Sequence, residues 1–184
     1  MTGRDEDAPV LSGDAFTLPA DGEHEPKEIA GRLVADLDQF RDLRTGEAMI
    51  LFLMRTEPKV KAQRAILGEM CIARFQGTLA PLALWLLAKV CGEVPDYIMI
   101  LDAGWWEQAD PHAREALVFH ELCHCAFKLD KEGEPKFTED GAPIWDIRGH
   151  EIEEFNAVAE RYGAWKPDIA AFLRSVADYG GAAE

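Results

Sequence analysis

The chain has 184 residues, and 34 acidic against 19 basic residues give it a formal net charge of −15. A hydrophobic content of 48% with 29% charged residues is ordinary for a globular protein, and a chain of this length needs neither disulfides nor a partner subunit to build a core. The acidic balance argues against a broad basic face for phosphate groups, so no nucleic-acid partner is expected.

The sequence predicts no export signal and no membrane span. The first residues lack a basic segment followed by an apolar core. The longest apolar runs, at 48–54 and 79–88, are too short to cross a bilayer. The cysteines Cys71, Cys91, Cys123 and Cys125 do not resemble a small secreted disulfide framework. We therefore expect a cytoplasmic protein with reduced thiols and no membrane association.

The first half of the chain predicts a tail followed by alternating helices and strands. Residues 1–25 are rich in acids, Gly and Pro, which indicates a disordered acidic tail, and residues 26–184 are expected to form a single domain. A helix over 26–43 follows from the spacing of its apolar residues. The apolar runs near 48–55, 69–76 and 97–102 predict strands, although periodicity does not separate the first from a short buried helix. Pro81 and Gly92 predict a helix between them, since Pro is typical of the first turn of a helix and Gly of the position after its end.

The second half predicts a helix, a long loop and two further helices. Asp110 and Pro111 begin a helix that continues to about Leu129. Residues 130–149 are polar and broken by Gly and Pro, which indicates a long loop or a loose hairpin, acting either as a lid or as a solvated surface. Helices are predicted over 150–162 and from Pro167. Together these elements predict an α+β fold, with a small mixed sheet packed against several helices.

The string His120-Glu121-Leu122-Cys123-His124 is an HExxH motif. Residues four apart lie on one side of a helix, so both imidazoles can bind one metal ion. Because Ala113 and Leu117 share this stripe, we expect both histidines on the inward side. Glu121 is rotated by about 100° and suits a general base. The same rotation directs Cys123 and Cys125 away from the histidines, so we interpret them as core residues.

Catalytic zinc usually has three protein ligands and one open position. His24 and His112 are poorly placed for this role, whereas His150 lies at the predicted entry to the next helix. Glu153 and Glu154 are alternative ligands, and Glu154 could instead orient a ligand through a hydrogen bond without binding the metal itself. The sequence therefore predicts one zinc ion per chain, held by His120, His124 and His150.

The segments "ALVFHELCHCAF", "GHEIEEFNAVAERYGAW" and "YIMILDAGWW" resemble the putative phage metallopeptidases, small zincin-like proteins of phages and prophages. The resemblance runs from about residue 26 to "WKPDIAAFL" and implies a zinc-dependent peptidase, with a peptide or protein substrate of unknown identity. A more distant similarity to SprT-like metallopeptidases matches Gly149, His150, Glu154 and Phe155 to their "GH..EF" context, although the loop before His150 is longer here.

The predicted reaction is hydrolysis of a peptide bond, with Glu121 taking a proton from water and delivering it to the leaving amine. Substrate would lie extended along the exposed edge of the sheet. Trp105 and Trp106 could line the substrate-binding cleft along this edge, but packing in the core is the stronger alternative. Tyr162 is a weak candidate for the residue that stabilises the oxyanion. The competing hypotheses are a non-catalytic zinc-binding structural or interaction protein of phage or prophage origin, and a DNA-associated protease.

Overall fold

A computed structural model describes residues 15–150, 152, 163–164 and 167–180 of the chain. The chain divides into two compact units, Met1–Arg148 and Gly149–Glu184. The predicted helix over 150–162, the candidates Glu153, Glu154 and Tyr162, and most of the predicted tail lie outside the described residues. The prediction of a single domain stays a prediction.

The first unit contains eight described strands and five described helices. The strands are β1 Phe16–Thr17, β2 Ile50–Arg55, β3 Lys59–Lys61, β4 Arg64–Ile66, β5 Gly68–Ile72, β6 Tyr97–Asp102, β7 Cys125–Phe127 and β8 Trp145–Ile147. The helices are α1 Pro26–Asp36, α2 Arg41–Thr45, α3 Ala80–Cys91, α4 Ala103–Gln108 and α5 Pro111–Cys123, and a 3-10 turn spans Asp38–Phe40.

The central sheet has four strands in the order β1-β2-β6-β5. Strands β2 and β6 are parallel, with Ile50 opposite Tyr97, and β5 runs antiparallel to β6. Strands β3–β4 and β7–β8 form two separate antiparallel hairpins. The predicted α+β class is therefore confirmed, and the three predicted strands lie in one sheet with β5 at its edge.

The core lies between one face of this sheet and the helices α1 and α5. Tyr97, Met99 and Leu101 alternate along β6 and are fully buried, as the two-residue period of a strand requires. Val118 and Leu122 of α5 are likewise fully buried, one turn of helix apart. This packing holds the helix that carries the HExxH motif against the sheet.

The beginning of the chain departs from the predicted tail. Phe16 and Thr17 pair antiparallel with Arg55 and Met54, so regular secondary structure begins before residue 26. The helix predicted over 26–43 is interrupted at Leu37, whose backbone is extended. The prediction of disorder through residue 25 is therefore wrong for the described residues 15–25.

The predicted helix over 110–129 is too long. Helix α5 ends at Cys123, and Cys125–Phe127 pair with Trp145–Ile147 as the hairpin β7–β8. The hydroxyl of the buried Tyr97 donates to the carbonyl oxygen of Asp146 at 2.9 Å and accepts from the Ala126 N–H at 3.2 Å. A tertiary contact with the sheet thus overrides the helical propensity of this segment.

The segment between β7 and β8 is an ordered extension of their hairpin. Backbone hydrogen bonds continue from Lys136 N–H to Lys128 O and from Ile144 N–H to Lys136 O, at 2.8 and 2.9 Å. Asp130 closes a turn by accepting from the backbone N–H groups of Glu132 and Glu134. The hairpin alternative of the sequence analysis describes this segment, while its role as a lid stays a prediction.

The second unit contributes one described helix, α6 Pro167–Gly180. Ile169 is buried, whereas Phe172, Leu173 and Val176 are more than half exposed. Over the part of the chain that the structure describes, we find no helix with the length and apolar character required to cross a bilayer.

Candidate metal centre

Helix α5 begins as its sequence predicts. The Asp110 carboxylate accepts a hydrogen bond from the Ala113 N–H at 2.8 Å, and Pro111 occupies the first turn, where it loses no helical hydrogen bond. The start of the helix fixes the register of the residues that follow. His120 and His124 therefore lie one turn apart, with ring centroids separated by 5.1 Å.

The buried face of α5 is not the face that the apolar stripe predicts. Glu121 is only 3% exposed and lies beside the fully buried Leu122. His120 is exposed and His124 is half-buried. The prediction that both histidines point into the core is wrong, because the sheet packs against the side of the helix that carries Val118, Glu121 and Leu122.

The ring of His124 is oriented by the backbone of the hairpin that follows. Its Nδ1 lies 2.7 Å from the carbonyl oxygen of Arg148, and the Arg148 N–H donates to the carbonyl oxygen of His124 at 2.8 Å. Since a carbonyl oxygen only accepts, Nδ1 is the protonated nitrogen and Nε2 carries the lone pair. A backbone carbonyl in this position is the usual orienting partner of a metal-binding histidine.

His120, His124 and His150 each offer one ligand nitrogen, and these atoms all lie within 4.8 Å of one another. Three imidazole nitrogens at this separation match the donor set that zinc and similar transition metals prefer. The three histidines could hold a metal ion.

The carboxyl group of Glu121 lies against strand β5. A Cβ atom built on Gly68 would lie 2.8 Å from Cδ and 2.9 Å from Cγ of Glu121, so any larger residue there would displace this side chain. The carboxylate also accepts a hydrogen bond from the backbone N–H of Met70. The edge strand therefore fixes the position of Glu121.

Burial makes this carboxyl group a weaker acid than an ordinary glutamate. The pKa of Glu121 is raised to about 7, chiefly by desolvation, and the nearby charge of Glu69 acts in the same direction. A charge on His124 and the hydrogen bond from Met70 act in the opposite direction. A carboxyl group with a pKa near neutrality can both accept and release a proton, which is the property that general acid–base chemistry requires.

The two cysteines beside His124 are partly buried and pack against the core. Cys123 Sγ accepts a hydrogen bond from Gln39 Nε2 at 3.1 Å. Burial raises the pKa of the Cys125 thiol to about 12, and the adjacent charge of Glu121 contributes to this shift. These contacts agree with the interpretation of both cysteines as core residues.

The two tryptophans lie in the short helix α4, after strand β6. That strand is an interior strand of the sheet, whereas the proposed substrate position is along an exposed edge. Trp106 is 3% exposed, and its Nε1–H donates to Glu25 Oε2 at 3.2 Å. This burial contradicts a role for Trp106 in lining substrate, and the half-buried Trp105 packs against the same core.

Sequence reasoning missed Gly68, the backbone of Met70 and the carbonyl group of Arg148. A glycine at the start of a predicted strand is a general sign of close backbone approach, but it does not identify Glu121 as the approaching group. Backbone groups leave no signal in the side-chain sequence. The packing of α5 on β5 brings Gly68 and Met70 to the motif, and the hairpin β7–β8 brings the carbonyl group of Arg148 back to His124.

A family model described as "Putative phage metallopeptidase" matches residues 21–177. No curated protein matches the chain, and no solved structure does.

Proposed function

The chain belongs to the family of putative phage metallopeptidases, and on this premise we propose that it is a zinc-dependent enzyme that hydrolyses peptide bonds. The observation that carries the proposal is the grouping of His120, His124 and His150 beside the buried carboxyl group of Glu121. A family name alone would leave both the chemistry and the residues open.

We assign the three histidines as the zinc ligands. Three imidazoles are a common set in catalytic zinc sites, and the hydrogen bond between His124 Nδ1 and Arg148 O leaves Nε2 as the coordinating atom of that ring. Bound zinc would supply Lewis acidity, which lowers the pKa of a water molecule and polarises a carbonyl group. Glu153 and Glu154 are the competing third ligands.

Glu121 is assigned as the general base. Its carboxylate oxygen takes a proton from the attacking water and then delivers that proton to the leaving amine. The hydrogen bond from Met70 N–H and the contact with Gly68 hold the carboxyl group in one position. A pKa near 7 lets the group exist in both protonation states at neutral pH.

The outer edge of β5 is the proposed binding site for substrate. This strand is at the end of the sheet, and its residues Gly68 and Met70 are those that contact Glu121. An extended peptide added along this edge would form main-chain hydrogen bonds and place a scissile bond near the carboxyl group. Recognition through the backbone selects unfolded or flexible protein segments and requires no particular side chain in the substrate.

The decisive experiment compares the wild type with Glu121→Gln. Both proteins should bind about one zinc per chain by elemental analysis, because Glu121 is not a ligand. Only the wild type should cleave an unstructured protein substrate, and a chelator should abolish that cleavage. A wild type that binds zinc and never cleaves would instead support the non-catalytic structural or interaction protein.

The DNA-associated alternative is tested separately. The chain carries a net charge of −15, and we therefore expect no retention on duplex DNA even at low salt. Clear retention that weakens as salt rises would revive this hypothesis.

A further inference from the structure

Helix α3 has two apolar faces. One face, which includes Leu84 and Leu87, is half-buried. The other consists of Leu79, which precedes the helix, followed by Leu82, Trp85, Leu86 and Val90, all about half to almost three-quarters exposed. We call these five residues the α3 stripe. Isolated exposed apolar residues are normal, whereas a continuous stripe on one helix face indicates an interaction surface.

The charge of the α3 stripe differs from that of the rest of the chain. Residues 79–92 contain no acidic residue and one base, Lys89, although the whole chain has 34 acids. Two copies with a net charge of −15 repel each other over most of their surface. The α3 stripe is a surface through which two such copies can meet without opposing carboxylates.

The residues of the α3 stripe also suit a two-fold symmetric contact. Leu79, Leu82, Leu86 and Val90 are spaced by three or four residues, as on one side of a helix. If two α3 helices pack antiparallel about an axis near Trp85, Leu79 of each copy faces Val90 of the other. Leu82 then faces Leu86, so every large side chain meets another large apolar side chain.

A cavity at the end of the α3 stripe fits this arrangement. It has a volume of about 330 Å³, and Leu18, Val90 and Cys91 are among its lining residues. Leu79 is 70% exposed and would be directed at this cavity when it faces Val90 of the other copy. One protomer thus offers both the protruding side chain and the recess that receives it.

The area agrees with a weak but specific dimer. The exposed parts of the five side chains amount to roughly 600 Å² on one protomer, or roughly 1,200 Å² for two, the lower end of stable interfaces. We propose that the α3 stripe is a self-association surface, through which two copies of this chain form an antiparallel dimer about Trp85. This inference is independent of the proposed function.

Sedimentation of the full chain tests this proposal. The wild type should form a species of twice the 20.5 kDa of one chain in the micromolar range. Added salt should favour the dimer, because it screens the repulsion between the two negative chains. Leu86→Glu and Leu86→Lys should both weaken association by about 30-fold or more, since a charge of either sign would be buried at the centre of the interface.

The matched control is Val60→Glu, which adds the same charge at a 64% exposed valine in the hairpin β3–β4. It should leave the dimer intact, and circular dichroism should show that all variants remain folded. A monomeric wild type, or a dimer that Leu86→Glu and Leu86→Lys do not affect, would overturn the proposal. A monomeric wild type whose Leu86→Glu variant loses thermal stability would also overturn it, because the α3 stripe would then be covered by a segment of the same chain.

Discussion

Gly68 of the edge strand β5 lies directly against the side chain of Glu121 on the HExxH helix. A Cβ atom on residue 68 would lie 2.8 Å from Cδ of Glu121, well inside normal contact distance. The absence of a side chain at residue 68 is therefore what allows the carboxyl group to lie against β5. Neither the strand nor the helix explains this glycine by itself.

Gly68→Ala is predicted to displace Glu121. We expect a loss of about 1–3 kcal/mol in the free energy of unfolding, because the added methyl group overpacks a buried contact. Hydrolysis should fall more than zinc content, since the added methyl group meets Glu121, which is not assigned as a ligand. Gly31→Ala is the control, because nothing lies within 4 Å of its added Cβ and the change in α1 should be neutral or stabilising. Full activity in Gly68→Ala would contradict this account.

His150→Ala is predicted to lose metal. Removal of one of three ligands should lower zinc affinity by about 100-fold or more, which competition with a fluorescent chelator can measure. His112→Ala removes an exposed histidine at the start of α5 and should leave the affinity unchanged. If both variants bind zinc as tightly as the wild type, the third ligand is Glu153 or Glu154.

The stability of the metal-free protein should depend on the protonation of Glu121. Its pKa is raised from the ordinary value of 4.5 to about 7, so the folded state binds the proton more tightly than the unfolded chain does. Protonation of Glu121 therefore adds to the free energy of unfolding. This contribution is fully present below pH 4.5 and is lost as the pH rises through 7.

Glu121→Gln should remove this dependence. In the presence of a chelator, the variant should be more stable than the wild type above pH 7, by about 3 kcal/mol. Urea unfolding at a series of pH values measures the difference. The thiols of Cys71 and Cys125 and the hydroxyl of Tyr97 have raised pKa values, which keeps their titration above this range. If the free energy of unfolding of Glu121→Gln depends on pH as steeply as that of the wild type, this carboxyl group is not the source of the pH dependence.

Tyr97→Phe is predicted to loosen the hairpin that follows His124. The Tyr97 hydroxyl donates to Asp146 O and accepts from Ala126 N–H, so its removal leaves both backbone groups without this partner. We expect a loss of about 1–2 kcal/mol in chemical denaturation. Tyr179→Phe makes the same change at a residue that is 75% exposed and should have no measurable effect.

The sequence alone determined the elements that depend on local spacing. The capping of α5 by Asp110, the pairing of His120 and His124 on one side of a helix, and the buried strand β6 all follow from residues near each other in the chain. Local patterns also predicted the α+β class. These features hold because a helix or strand sets the direction of side chains within a few residues.

The tertiary structure alone decided which side of α5 is buried and what lies beside the motif. The apolar stripe predicted that the histidines face the core, but the buried side of α5 carries Val118, Glu121 and Leu122, and β5 lies against the carboxyl group of Glu121. Gly68 and Met70 reach Glu121 from some 50 residues earlier in the chain, and the carbonyl group of Arg148 reaches His124 from 24 residues later. Such contacts depend on how a strand edge, a helix and a hairpin pack together. Backbone atoms make most of them, and backbone atoms are the same at every position of a sequence.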